Sequence, residues 1–123
     1  MGDLTKNFSR SEFACRCCGK NNIKSGLVSK LQKARTASGV PFIINSGVRC
    51  KKKNNTIKKK RKSVSNSAHL TGEAADIKCT NSLDRQKIEI ALYKAGIKRV
   101  GLNKTFIHAD ISKTKPQKRT WLY

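Results

Sequence analysis

Apolar residues recur at helical spacing in two stretches of the chain and alternate or cluster in several shorter ones. From residue 25 to 38, Leu27, Leu31 and Ala34 fall on one helix face, and Gly39 offers a left-handed C-cap. A second helix is predicted in NSLDRQKIEIALYKAG, capped by Ser82, striped by Ile88, Leu92 and Ala95, and stopped by Gly96. VPFIINSG reads as a buried strand over residues 41–45, closed by a Ser-Gly turn. GEAADIKC alternates, with Ala74 and Asp76 on one face and Ala75 and Ile77 on the other. KRVGL and TFIHADI read as two strands of a hairpin turning at Asn-Lys. Ahead of these, Ser9 or Ser11 caps a short turn that carries Phe13 inward. The tail KPQKRTWLY ends in Trp121, Leu122 and Tyr123, apolar enough to dock on the body. The order helix, strand, loop, strand, helix, strand, strand predicts an α+β fold, a small and mostly antiparallel sheet flanked by helices. Residues 1–123 are expected to form one domain.

Residues 50–66 break the pattern: they make a long polar loop rich in Lys, Asn and Ser. Lys and Arg number 28 against 7 Asp and Glu, a formal net charge of +21. Nucleic acid, teichoic acid, lipopolysaccharide and acidic membranes would all suit such a charge. A solvated basic loop without a specific ligand, or a localisation-type stretch, are the plainer accounts. Hydrophobic content is only 37%, but the charge is concentrated and long apolar-patterned segments remain, which argues against wholesale disorder. No stretch has the length of a membrane span, and MGDLTKNFSRSEF lacks the apolar core of a signal peptide. Lys6 stands where a myristoylation motif wants Ser or Thr. Synthesis in the cytoplasm is therefore expected.

The five cysteines, Cys15, Cys17, Cys18, Cys50 and Cys79, are an odd number, which favours reduced thiols over a secreted disulfide framework. CRCCGK invites a zinc reading. Cys-x-Cys-Cys is not the usual Cys-x2-Cys knuckle, however, and neither a second pair nor a spare histidine completes four ligands. Small buried side chains with a local role are expected instead.

SAHLTGEAADI holds one of the two histidines and two of the seven acidic residues. A catalytic zinc needs three His or carboxylate ligands and an open position. His69 and Asp76 supply two, one just before a strand and one within it, and the other histidine is His108 in FIHADI. On a strand, His108 and Asp110 project from one face. If that strand lies beside residues 73–79, His108 comes within reach of Asp76, and Asp110 stands by as a supporting carboxylate or proton acceptor. Gly72 lets the backbone turn closely between His69 and Asp76. Spacing alone does not choose between such a site and two ordinary satisfied histidines.

At these residues the chain resembles the zinc D-alanyl-D-alanine carboxypeptidases and their peptidoglycan-endopeptidase relatives. SAHLTGEAAD fits their Ser-x-His-x-x-Gly-x-Ala-x-Asp signature. FSRSEFACRCCGK is similar to the opening of the compact branch, PFIINSGVRC to its Ser-Gly-Tyr-Arg segment, and RVGLNKTFIHADI to its terminal His-x-Asp hairpin. The closing TWLY fits as well.

The resemblance implies a zinc ion on His69, Asp76 and His108, with Ser67 as a hydrogen-bonding support before the first ligand. Arg49, following Ser46 on the substrate side, would bind a carbonyl or carboxylate and stabilise the oxyanion; a guanidinium presents fixed donors and stays charged. Three places depart from the family's pattern. Thr105 occupies the position of an acidic general base, so Asp110 is the expected substitute, with Glu73 behind it. Val48 replaces an aromatic. KKKNNTIKKKRK replaces a His-Asn pair and a Gly-Gly stretch. The implied function is a monomeric zinc peptidase cutting a peptide bond in peptidoglycan stems or cross-bridges, of the phage or prophage lysis or wall-remodelling kind. It would act at the bacterial wall after release, with the basic loop on an anionic envelope polymer. One rival keeps the fold and zinc, loses catalysis and grips nucleic acid or envelope polymer through the loop. Another is a basic nucleic-acid protein without metal.

Overall fold

The computed structural model describes residues 4–15, 18, 19, 21–50 and 68–123. The basic loop expected at residues 50–66, apart from Cys50, and the expected support Ser67 lie outside the described residues.

The chain opens with a 3-10 turn, Arg10–Phe13, whose Ser9 amide donates to Glu12 at 2.6 Å. Phe13 is thereby carried into the core, where it meets Phe8 with ring centroids 5.7 Å apart. Helix α1 spans Ser25–Ser38 and ends at Gly39 in the left-handed conformation, as its sequence predicts. Helix α2 spans Ser82–Lys94. Its cap is Asn81 rather than Ser82: the Asn81 side chain accepts the Asp84 amide at 2.8 Å, and Ser82 is the first helical residue. The two helices bury Leu27, Val28, Leu31 and Ala34 from α1 and Ile88, Ala91 and Leu92 from α2.

Among the described residues five strands form one sheet: β1 (Ile44–Ser46), β2 (Ala74–Lys78), β3 (Arg99–Leu102), β4 (Phe106–Asp110) and β5 (Arg119–Leu122). Their order is β1-β2-β4-β3-β5, antiparallel throughout except for the parallel β3–β5 pair. The α+β class with a mostly antiparallel sheet is thus as the sequence predicts. β1 begins later than the predicted 41–45, because it pairs only where Ile44 and Ser46 meet Ile77 and Asp76. The hairpin turns at Asn103, whose side chain accepts the Thr105 amide at 3.1 Å. β5 is an element that the sequence pattern showed only as a docking tail.

The central pair β2 and β4 fixes everything else. Their register sets Ala75 against Ala109 and Ile77 against Ile107 on one face, and Ala74 against Asp110 and Asp76 against His108 on the other. Ala75, Ile77, Ile107 and Ala109 join the helices in one core cluster. The opposite face carries charge. No described helix is long and apolar enough to cross a membrane.

Candidate metal centre

Three separate pieces of chain bring their donors together. A 3-10 turn, Ala68–Thr71, carries His69; β2 carries Asp76; and β4 carries His108. One atom from each lies within 4.8 Å of the other two, and all three residues are buried. The turn is held in place by Gly72, whose φ of 75° suits a residue without Cβ; a Cβ there would also strike the Asn22 carbonyl. The Gly72 carbonyl in turn accepts the Lys24 amide at 2.8 Å, tying the His69 turn to the start of α1.

The hydrogen bonds decide which ring nitrogens are available. His69 Nδ1 sits 2.6 Å from the Gly47 carbonyl, which can only accept, so Nδ1 carries the proton. Nε2 then presents its lone pair toward Asp76 Oδ1, 3.4 Å away. His108 contacts Asp76 Oδ1 through Nδ1 at 3.0 Å and Asp110 Oδ2 through Nε2 at 2.7 Å. Between two carboxylates that ring is doubly protonated in the metal-free protein. Burial alone would depress its pKa, but the hydrogen bonds to Asp110 and Asp76 prevail and push it up to about 9. His69 goes the other way, because its burial outweighs the attraction of Asp76. Burial opposes the charge on Asp76, yet the two histidines hold its pKa far below the usual carboxylate range.

A cation of the zinc class fits these donors: a neutral imidazole, a carboxylate, and a second imidazole once Nδ1 of His108 releases its proton. Each imidazole is steered from behind, His69 by a backbone carbonyl and His108 by a carboxylate, the usual arrangement for metal-ligating histidines.

Arg49 lies at the edge of the cluster. Its Nη2 donates to Asp76 Oδ2 at 3.0 Å and its Nε to Ser46 Oγ at 3.1 Å, with only 6% of the residue exposed. Its amide also donates to the His69 carbonyl at 3.0 Å. Replacing a buried ion pair by apolar residues is often neutral or stabilising by about 1–4 kcal/mol, so stability alone does not explain this one.

Asp110 stands behind His108 and both of its oxygens are engaged. Oδ2 meets His108, while Oδ1 accepts Arg99 Nε at 2.8 Å and the Ser112 amide at 3.1 Å. Burial would raise its pKa, but His108, Arg99 and the Ser112 amide lower it, so it is ionised. Glu73 turns aside and accepts the Thr71 hydroxyl. Thr105 is exposed in the hairpin turn, bonded to Asn103. Val48 is 2% exposed and belongs to the buried interior rather than to a substrate surface.

Two contributors escaped the sequence reading. Arg99 was legible in principle, since counting back from the hairpin turn pairs Leu102 with Ile107 and Arg99 with Asp110. Trp121 packs 5.3 Å from His108, centroid to centroid, with the Arg99 guanidinium 4.9 Å from the indole centroid. That required β5 to pair with β3, which no local pattern announced.

Solved structures of similar fold include the L-Ala D-Glu endopeptidase ChiX of Serratia marcescens, with a TM-score of 0.62 and 23% identity, covering 74% of this chain and 81% of that one. No curated protein sequence matches the chain. The sequence pattern of the peptidase M15 family matches residues 6–110, from the N-terminal turn through Asp110. That span holds Arg49 and every member of the His-Asp-His cluster, and by this match the chain belongs to the peptidase M15 family, a family of metallopeptidases.

Proposed function

We propose that this peptidase hydrolyses a peptide bond in the stem peptides or cross-bridges of peptidoglycan, using one zinc ion on His69, Asp76 and His108. The carrying observation is the convergence of those three donors within 4.8 Å, each histidine ring oriented from outside the cluster. A bound zinc supplies Lewis acidity to the scissile carbonyl and lowers the pKa of a coordinated water toward about 7. In this reading Arg49, braced by Ser46, binds a substrate carbonyl or carboxylate and stabilises the charge that develops there. Asp110 acts by holding His108 Nε2–H, which keeps Nδ1 aimed at the cluster. A lysis or wall-remodelling role suits the net charge of +21, which favours contact with an anionic envelope.

The test is digestion of purified peptidoglycan, with fragments read by mass spectrometry, before and after chelation. New fragments that vanish with chelator and return with zinc are expected. Digestion that ignores the chelator refutes the zinc mechanism. The first bond to examine is L-Ala–D-Glu, the one named for ChiX; the fragment masses report whether it or another is cut.

One observation favours a second reading, a zinc-holding module without turnover. Both oxygens of Asp110 are engaged, and Thr105 holds the position where the resemblance leads one to expect an acid, so neither provides an unencumbered base. A zinc-loaded protein that yields no fragments yet binds wall polymer in low salt would support it.

A further inference from the structure

The cysteines do not behave as scattered core residues. Cys15, Cys18 and Cys50 bring their sulfurs within 4.8 Å of one another, although Cys50 is 35 residues from Cys15. Cys79, by contrast, is buried elsewhere, with its thiol toward the Asn81 carbonyl at 3.5 Å. Reading CRCCGK as Cys-x-Cys-Cys hid the relevant spacing: Cys15 and Cys18 stand in the Cys-x2-Cys relation of a metal knuckle, followed by Gly19. The Gly19 amide donates to the Cys15 carbonyl at 2.8 Å.

We propose that Cys15, Cys18 and Cys50 form a second metal site, a thiolate site for a soft divalent cation of the zinc class, separate from the His-Asp-His cluster. Zinc thiolates sit about 2.3 Å from the metal and therefore about 3.8 Å apart in a tetrahedron, a separation inside the 4.8 Å that bounds the three sulfurs. The Cys50 amide points at Cys15 Sγ from 3.3 Å, a donor that favours the thiolate over the thiol. Cys15 is buried, Cys50 half-buried and Cys18 exposed, so the cation enters from the Cys18 side and takes its fourth ligand from there. Each thiol gives up its proton on binding. No disulfide joins any two of the described cysteines, and a disulfide would use only two of three converging sulfurs.

The position gives this site a purpose. Residues 13–15 run against residues 47–50: the Val48 amide donates to the Phe13 carbonyl at 2.8 Å, and a Cβ on Gly47 would lie 2.6 Å from that oxygen. The same stretch supplies the Gly47 carbonyl that orients His69 and the Arg49 that meets Asp76. A cation on the three sulfurs fastens this segment to the N-terminal turn at its far end. The site is structural, and it stands whether or not the His-Asp-His cluster holds zinc.

The test uses the full chain, reconstituted under reducing conditions with zinc and, separately, with cobalt(II). Two equivalents of metal are expected, and the cobalt form should show sulfur-to-cobalt charge-transfer absorption in the near-ultraviolet. Cys50→Ser should lose one equivalent and that absorption, while Cys79→Ser keeps both. A His69→Ala, His108→Ala double variant should lose one equivalent and retain the absorption, which separates failure of one site from failure of the other. Should Cys50→Ser not fold, an organomercurial thiol reagent applied to the unaltered protein should release one equivalent of zinc. Absence of the charge-transfer band, unchanged metal content in folded Cys50→Ser, or no release by the mercurial would each overturn the proposal.

Discussion

On one face of β2 and β4, Ala75, Ile77, Ile107 and Ala109 are fully buried against the helices; on the other, Asp76, His108 and Asp110 are 3%, 6% and 1% exposed. The same strand alternation made both, and depth does not distinguish them. The apolar face needs nothing but area, since each side chain gains by leaving water. The polar face persists only because its charges satisfy one another: Asp76 with Arg49 and His108, Asp110 with His108, Arg99 and an amide. One face keeps the protein folded, whereas the other is tolerated for what it binds.

The sharpest way to separate the faces is to alter neighbours. Ile77→Ala should lower stability by about 2–5 kcal/mol, read by denaturant unfolding, while metal stoichiometry and activity in the cold persist. Asp76→Asn, one residue away, should abolish metal binding at the His-Asp-His cluster and reduce peptidoglycan cleavage below detection. If Asp76→Asn keeps both metal and turnover, Asp76 is not a ligand.

A pH titration of the metal-free protein comes next, with an effect of a few kcal/mol. His69 has a lowered pKa, so its contribution is lost as pH falls below its ordinary 6.5. His108 has a raised pKa, so its contribution is full below 6.5 and disappears as pH climbs through about 9. The two slopes meet, and metal-free stability should peak near pH 6.5, then fall further in acid as Asp76 and Asp110 protonate below their ordinary 3.8. Zinc removes the alkaline loss, because a ligating His108 has already released its Nδ1 proton. A metal-free protein equally stable at pH 6.5 and 9.5 contradicts the double-carboxylate clamp on His108.

How much of this was readable in the chain follows the range of each interaction. Helix α1 and its Gly39 cap, and the alternation that sets Asp76 against Ile77, are local and were legible. The pairing of His108 with Asp76 came from a motif resemblance joined to strand geometry, and the register agrees. What was missed depends on contacts between remote segments. Trp121 reaches His108 only because β5 runs parallel to β3, and RTWL has no apolar alternation to announce a strand, with only Trp121 partly buried. Cys50 joins Cys15 across a span containing α1 and β1, which no spacing rule covers.

Asp110→Asn probes how the polar face is built. An asparagine still accepts a hydrogen bond from His108 but brings no charge. If Asp110 positions the ring, zinc affinity should fall about 10–100-fold while activity returns at saturating zinc. If Asp110 is the general base expected from the sequence, turnover stays low however much zinc is added, and the pH–rate profile loses its acidic limb.

The smallest effect is expected at the rim of the polar face. Trp121 covers His108 and receives Arg99 on its ring, but it belongs to a short edge strand and is itself partly exposed. A cation–π contact of this kind contributes about 0.5–1 kcal/mol. Trp121→Leu should therefore cost about 1 kcal/mol in thermal or denaturant unfolding and leave zinc affinity nearly unchanged. The reason is that Arg99 keeps its bond to Asp110, and Asp110 its bond to His108, without the indole. A loss of zinc as large as that of Asp110→Asn would mean that ring packing, not the carboxylate, orients His108. The polar face would then be held by contact in the same way as the apolar one.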